Sequence, residues 1–367
     1  MNKKIGVLTS SRADFGIYKP LLDLIKKTSI DLTIIVFGTH LQKNHGYTIN
    51  EIRKDNFKNI VKIKGMPDLD SKLEISKGYS KLISNFAKFW NDNKFDYVFA
   101  LGDRFEMSAA VQAGIPFQVK IAHIHGGETT LGAIDNIYRH QISLLSSIHF
   151  CSTLKYQKRI KNLIDDSNHV YNVGSLSLND FEKNKIKNWN NVRKLFNIPN
   201  QKFCLVTFHP ETINPENNFK YVEIIKKVLM ELSKIIHIVI TQANADTFGS
   251  IYRRMALHLE ENNPKDFSVI NSFGKESYFS AMKNCEFMLG NTSSGIIESA
   301  SFGKYFINVG KRQSGRLFNK NTINVDYNYD KIISESKSII NKTYYGDNYY
   351  YKKNTAKKIL KILLKEL

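Results

Sequence analysis

The chain has 367 residues, of which 42% are hydrophobic and 24% charged. That balance excludes a disordered polymer, and at about 100 to 200 residues per domain the length suggests two domains. Lys and Arg number 53 against 34 Asp and Glu, a net charge of +19. The lysines are scattered with Asn and Ile, as in Lys183 to Lys187 and Lys357 to Lys365, and no basic stripe interleaved with aromatics marks a nucleic-acid surface. A small anion remains a compatible ligand.

Short apolar runs alternate with longer amphipathic stretches, the pattern of βα units on parallel sheets. In the first half, strands are expected at 5–8, 32–37, 97–101, 119–124 and 148–151, and helices over 17–27, 72–90, 104–113 and 134–146. A Val173-Gly174-Ser175 turn and a polar, Lys/Asn-rich passage over 179–201 follow. The alternation then restarts, with strands at 204–208, 235–241, 287–289 and 305–309 and helices near 219–232, 248–260 and 295–302. The expected fold is α/β, two Rossmann-like doubly wound domains over 1–178 and 179–345. Residues 346–367 form a terminal basic helix that could pack back on the first domain. Cys151, Cys204 and Cys285 lie far apart beside apolar residues and read as buried free thiols. The apolar stretch in MNKKIGVLTSSR is too short for a secretory signal, and no run reaches the ~18 apolar residues of a membrane helix. A soluble, cytoplasmic protein is the expectation.

Doubly wound sheets bind ligands at the carboxyl ends of their strands, and the unusual residues fall there. Arg12 sits in the first βα turn and Arg312 follows the 305–309 strand; guanidinium forks match phosphate oxygens, so the two could grip a diphosphate from opposite halves. Asp103 ends a strongly apolar strand, where a carboxylate is suited to general-base work or to capping the next helix. The span HIHGGETTLGAIDNIYRH concentrates His123, His125, Glu128, Asp135, Arg139 and His140. Histidines two apart on a strand share a face, but no metal-ligand spacing accompanies them, so His123 reads as structural and the Gly126-Gly127 turn as presenting Glu128 or His125. His209 follows the first strand of the second half, placed to meet a phosphate or a leaving group. In GNTSSGIIESASFGK, Thr292, Ser293 and Gly295 can turn backbone N–H groups toward an anion, and Glu298 can accept two ribose hydroxyls.

Together and in order, SRADFG, GDRFE, HIHGGE with GAID and RH downstream, FHPET, NADTFGS, GNTSSG and GKRQSGR resemble the UDP-N-acetylglucosamine 2-epimerase family, especially its hydrolysing branch. The resemblance implies a glycosyltransferase-B arrangement, two domains facing across a cleft, with no metal or nicotinamide cofactor. It implies proton removal at sugar C2 with loss of UDP to give a 2-acetamidoglucal, then water addition at C1 and reprotonation of C2. The products would be UDP and N-acetylmannosamine, for bacterial sialic acid synthesis. Motif matching assigns acid/base work to Asp103, Glu128 and Asp135, with His209 near the leaving group, and UDP binding to Arg12, Asn244, Thr292, Ser293, Gly295, Glu298 and Arg312. Some relatives carry a glutamate where this chain has His125, which leaves the base and the acid unassigned; Asp103 and Glu128 rank before His125. A related branch acts on UDP-2,4-diacetamido-2,4,6-trideoxy sugars on the way to legionaminic acid; HPET and NADT favour N-acetylglucosamine. A UDP-sugar partner and a homodimer or homotetramer are expected, with neither nucleic acid nor membrane. A glycosyltransferase of the same fold and a non-catalytic nucleotide-sugar or nucleic-acid binding protein are the competing readings.

Overall fold

A computed structural model describes residues 3–43, 46–67, 71–179, 181, 186–242 and 248–367. Its first sheet contains β1 (Lys4–Thr9), β2 (Asp31–Val36), β3 (Asn59–Lys62), β4 (Tyr97–Leu101), β5 (Ile121–Ile124), β6 (Ile148–Cys151) and β7 (Val170–Asn172). All pair in parallel, in the order β3-β2-β1-β4-β5-β6-β7. The connecting helices are α1 (Arg12–Ile25), α2 (Ile49–Lys54), α3 (Lys72–Asp92), α4 (Phe105–Gln112), α5 (Asp135–Leu144) and α6 (Leu154–Ile164).

The second sheet contains β8 (Phe203–Thr207), β9 (His237–Thr241), β10 (Phe267–Ile270), β11 (Met288–Gly290), β12 (Phe306–Val309) and β13 (Thr322–Val325), ordered β10-β9-β8-β11-β12-β13. Helices α7 (Trp189–Leu195), α8 (Asn218–Leu232), α9 (Gly249–Asn262), α10 (Lys275–Asn284), α11 (Ser293–Ile297) and α12 (Tyr329–Ile339) accompany it, and α13 (Thr355–Glu366) ends the chain. The two Rossmann-like sheets expected from the alternation are both present. No helix among the described residues is long and apolar enough to cross a membrane.

A parallel sheet covered on both faces must be apolar on both, and the central strands are. In β4, Tyr97, Phe99 and Leu101 enter a core shared with α1, while Val98 and Ala100 enter another with α3 and α4. Each sheet reverses its winding once, at β1/β4 and at β8/β11, and the loops that leave those strands have no neighbouring crossover to cover them.

The chain divides into two compact units. Unit 1 comprises Met1–Glu128, Asp135–Asp180 and Tyr350–Leu367; unit 2 comprises Thr129–Ile134 and Phe181–Tyr349. In unit 1, α13 buries Ala356, Ile359 and Leu363 in the α1 core, and Thr355 Oγ1 donates to the Val173 carbonyl at 2.9 Å. Helix α1 starts at Arg12, five residues before the start expected at 17, because Ser11 and Asp14 form a capping box that brings the first turn, with buried Phe15, into the helix. The helix expected over 295–302 is split: α11 has only five residues, and Ser299–Phe302 continues as a 3-10 turn.

Candidate functional site

At the carboxyl end of β4 the backbone turns through Gly102 and Asp103 into α4, and at the end of β5 it turns through His125, Gly126 and Gly127 to Glu128. Gly127 has φ +77°, and a Cβ there would lie 2.7 Å from the Tyr156 carbonyl, so only glycine lets the turn settle on α6. The turn delivers Glu128 into the interior at 1% exposure. Its Oε1 accepts from Ser152 Oγ and faces His125 Nδ1, each at 2.7 Å. The other ring nitrogen, His125 Nε2, lies 3.4 Å from Ser175 Oγ.

One buried guanidinium joins these turns. Arg139 projects from α5, donates to Asp103 Oδ2 and to the His125 carbonyl (3.0 Å), and lies 3.8 Å from Glu128 Oε2. It is only 2% exposed, which requires the carboxylates around it. Sequence reasoning noted Arg139 but gave it no role. The signal was its place on a buried helix face with Ile142 and Ser143, where a charge must have a partner. Asp135 opens α5 one turn before Arg139.

His123 and His125 do not share a strand face. β5 ends at Ile124, and His125 has φ +67°. His123 is structural: its Nε2 donates to the Gly102 carbonyl at 2.9 Å and its Nδ1 lies 3.1 Å from Ser143 Oγ. Burial lowers its pKa from 6.5 to about 3, and burial lowers that of His149 in β6 to about 4. Below pH 6.5 the unfolded chain therefore binds protons that the folded chain refuses, so stability falls as pH drops from about 6.5 toward 4. At pH 5 the loss is about 2 kcal/mol per histidine, which urea midpoints at pH 7.5 and pH 5 will register.

The first βα turn is self-contained. Asp14 Oδ2 accepts from Ser10 N–H (2.7 Å), Ser10 Oγ (2.9 Å) and Ser11 N–H (3.0 Å), so an internal carboxylate already occupies the positive end of α1. Arg12, half-buried beside it, lies 3.9 Å from Glu51.

In unit 2, Asn291 ties three motifs together. It accepts from His209 N–H (2.7 Å) and donates back to the His209 carbonyl (2.8 Å). Its own carbonyl accepts from Gln313 Nε2 (2.8 Å) and Arg312 Nη1 (3.4 Å). Thr292, the next residue, caps α11 through Ser294 N–H, followed by half-buried Ser293 and buried Gly295, and Glu298 closes the helix at 8% exposure. A helix this short has few aligned dipoles, so anion binding here would rest on local N–H groups and on Arg312 more than on the helix as a whole.

Glu211, read in the sequence only as part of the HPET motif and given no role of its own, accepts from the backbone N–H groups of Lys311 (2.7 Å) and Arg312 (3.1 Å). Burial raises its carboxyl pKa; those amides and the nearby cations only partly offset this. The structure thus groups Asp103, His125 and Glu128 through Arg139 in unit 1, and His209, Thr292 and Arg312 around Asn291 in unit 2. Arg12 belongs to unit 1 and is not part of the Arg139 cluster, and Asn244 lies outside the described residues.

Residues 23–364 match the family model described as UDP-N-acetylglucosamine 2-epimerase. The chain is 34% identical over 328 residues to the GDP/UDP-N,N'-diacetylbacillosamine 2-epimerase (hydrolyzing) of Campylobacter jejuni, covering 89% of this chain and 85% of that one. It is 30% identical over 368 residues to polysialic acid biosynthesis protein P7 of Escherichia coli, covering 98% and 93%. In fold it resembles the crystal structure of the Methanocaldococcus jannaschii UDP-GlcNAc 2-epimerase in complex with UDP-GlcNAc and UDP, with a TM-score of 0.81 at 20% identity over 99% of both chains.

Proposed function

The chain belongs to the UDP-N-acetylglucosamine 2-epimerase family, and from that premise we propose that it is a hydrolysing 2-epimerase of a UDP-2-acetamido sugar. The observation that carries the reading is the pair Asp103 and Glu128 on adjacent strand ends, sharing the buried Arg139 guanidinium. Proton removal at C2 and its return on the other face need an acid/base set whose charge is compensated away from bulk water.

In this reading Asp103 and Glu128 handle the C2 proton, His125 acts on Glu128 through the 2.7 Å contact, and Asp135 is a third acid/base candidate. Expulsion of UDP leaves the 2-acetamidoglucal, and water then adds at C1. Arg312, Arg12 and the hydroxyl and N–H groups of Thr292, Ser293 and Gly295 stabilise the departing diphosphate, His209 serves the leaving group, and Glu298 takes the ribose hydroxyls. Asn244 remains a candidate for the same nucleotide.

Of the two motifs behind the preference for N-acetylglucosamine, HPET directs its Glu211 carboxylate to the Lys311 and Arg312 amides, and NADT lies outside the described residues. The 34% identical relative favours a 2,4-diacetamido-2,4,6-trideoxy sugar. The polysialic acid relative, matched over 98% of this chain, favours the second reading, UDP-N-acetylglucosamine hydrolysed to N-acetylmannosamine.

Incubation with each sugar nucleotide in deuterated water decides. The expected product is the free 2-epimer carrying deuterium at C2, formed faster from the diacetamido substrate. Unlabelled sugar would discard the elimination mechanism in favour of plain hydrolysis or transfer, and faster turnover of UDP-N-acetylglucosamine would select the second reading.

A further inference from the structure

The segment Thr129–Ile134 lies in sequence between Glu128 and Asp135, yet it belongs to unit 2. It packs against the turn that carries Arg312. Leu131 N–H donates to the Ser314 carbonyl at 2.9 Å, and Ile134 N–H donates to Thr212 Oγ1 at 3.0 Å. Gly132 has no left-handed torsion to explain it; a Cβ there would lie 2.5 Å from Arg312 Cα and overlap the Lys311 carbonyl. A Cβ on Gly315 would lie 2.6 Å from Thr129 Cγ2. The 311–315 turn is therefore held from two directions, by Glu211 through the Lys311 and Arg312 amides and by this strap through its backbone. Glu211 and Thr212, adjacent in the chain, serve one hold each.

We propose that residues 129–134 are part of the nucleotide-holding apparatus and that Gly132 and Thr212 are positioning residues for Arg312. The inference rests on the reading of Arg312 as a diphosphate ligand. Gly132 sets how closely the strap approaches the Arg312 backbone, and the Thr212 hydroxyl fixes the strap's far end. Together they set the direction from which the guanidinium meets phosphate oxygens, a geometry to which a bidentate fork is sensitive.

The test is calorimetric titration of UDP into the full chain and into Gly132→Val, Thr212→Val, Thr212→Ser and Arg312→Gln, alone and combined, with thermal unfolding of each. Thr212→Val removes an acceptor while keeping the shape, and guards against a Gly132 variant that fails to fold. Both Gly132→Val and Thr212→Val are expected to weaken UDP about tenfold; the unfolding midpoint should stay near that of the unsubstituted chain in Thr212→Val and fall in Gly132→Val, whose added Cβ meets the Lys311 and Arg312 backbone. Thr212→Ser, which keeps the acceptor, should restore most of the affinity. In the Arg312→Gln background Gly132→Val should add little further loss, because residues that act through one another are not additive. UDP affinity within twofold of normal in both valine variants, or fully additive losses in the combined variant, would overturn the proposal. Failure of the unsubstituted chain to bind UDP would instead remove the nucleotide reading of Arg312 itself.

Discussion

Replacing Arg139 with methionine is expected to abolish turnover and to lower unfolding free energy by about 3–5 kcal/mol, the penalty for breaking a buried charge pair from one side. The side chain is 2% exposed and Glu128 1%. Methionine fills much of the volume but leaves the buried Glu128 carboxylate without the guanidinium beside its Oε2 and the His125 carbonyl without its donor. Asp103, partly solvated, contributes less to the loss than Glu128. Arg139→Lys should recover part of the stability and little of the activity, since a point charge cannot reach Asp103, Glu128 and the His125 carbonyl at once. Urea unfolding with a UDP-release assay provides the check. A loss under about 1 kcal/mol would mean that water replaces the guanidinium, and the cluster would no longer be the organising feature of unit 1.

The second large effect is expected from Asp103→Asn, with kcat down by about 10²–10⁴-fold, the range for loss of a general acid or base. UDP affinity and the unfolding midpoint should stay close to normal, because the amide oxygen can still accept from Arg139 and none of the groups around Asn291 is touched. Steady-state UDP release and UDP titration separate the two quantities. Near-normal release by this variant would take Asp103 out of the proton-transfer role and leave Glu128 with His125 as the working pair.

The inner strands of both sheets were legible as apolar runs, because a strand covered on both faces has no room for polar alternation. The strands that escaped, β3, β7, β10 and β13, are the four sheet edges. Asn59–Lys62 and Thr322–Val325 are short and half-solvated, and their polar ends resemble loop; only pairing with a neighbour makes them strands. The same limit applies at the candidate site. Asp103, His125, Glu128, His209 and Arg312 could be picked out because each follows a readable strand. Arg139 and Glu211 could not be assigned, since their importance lies in what they hold: Arg139 sits mid-helix, and Glu211 meets backbone groups 100 and 101 residues away. The Thr129–Ile134 strap was hidden for a similar reason, its partners lying beyond residue 210.

The return of α13 to unit 1 has a consequence for biosynthesis. Ala356, Ile359 and Leu363 are translated after the whole of 181–349, yet they complete the apolar core against α1. The core of the amino-terminal half is therefore complete only once the last residues of the chain have been made, although most of that half is synthesised first.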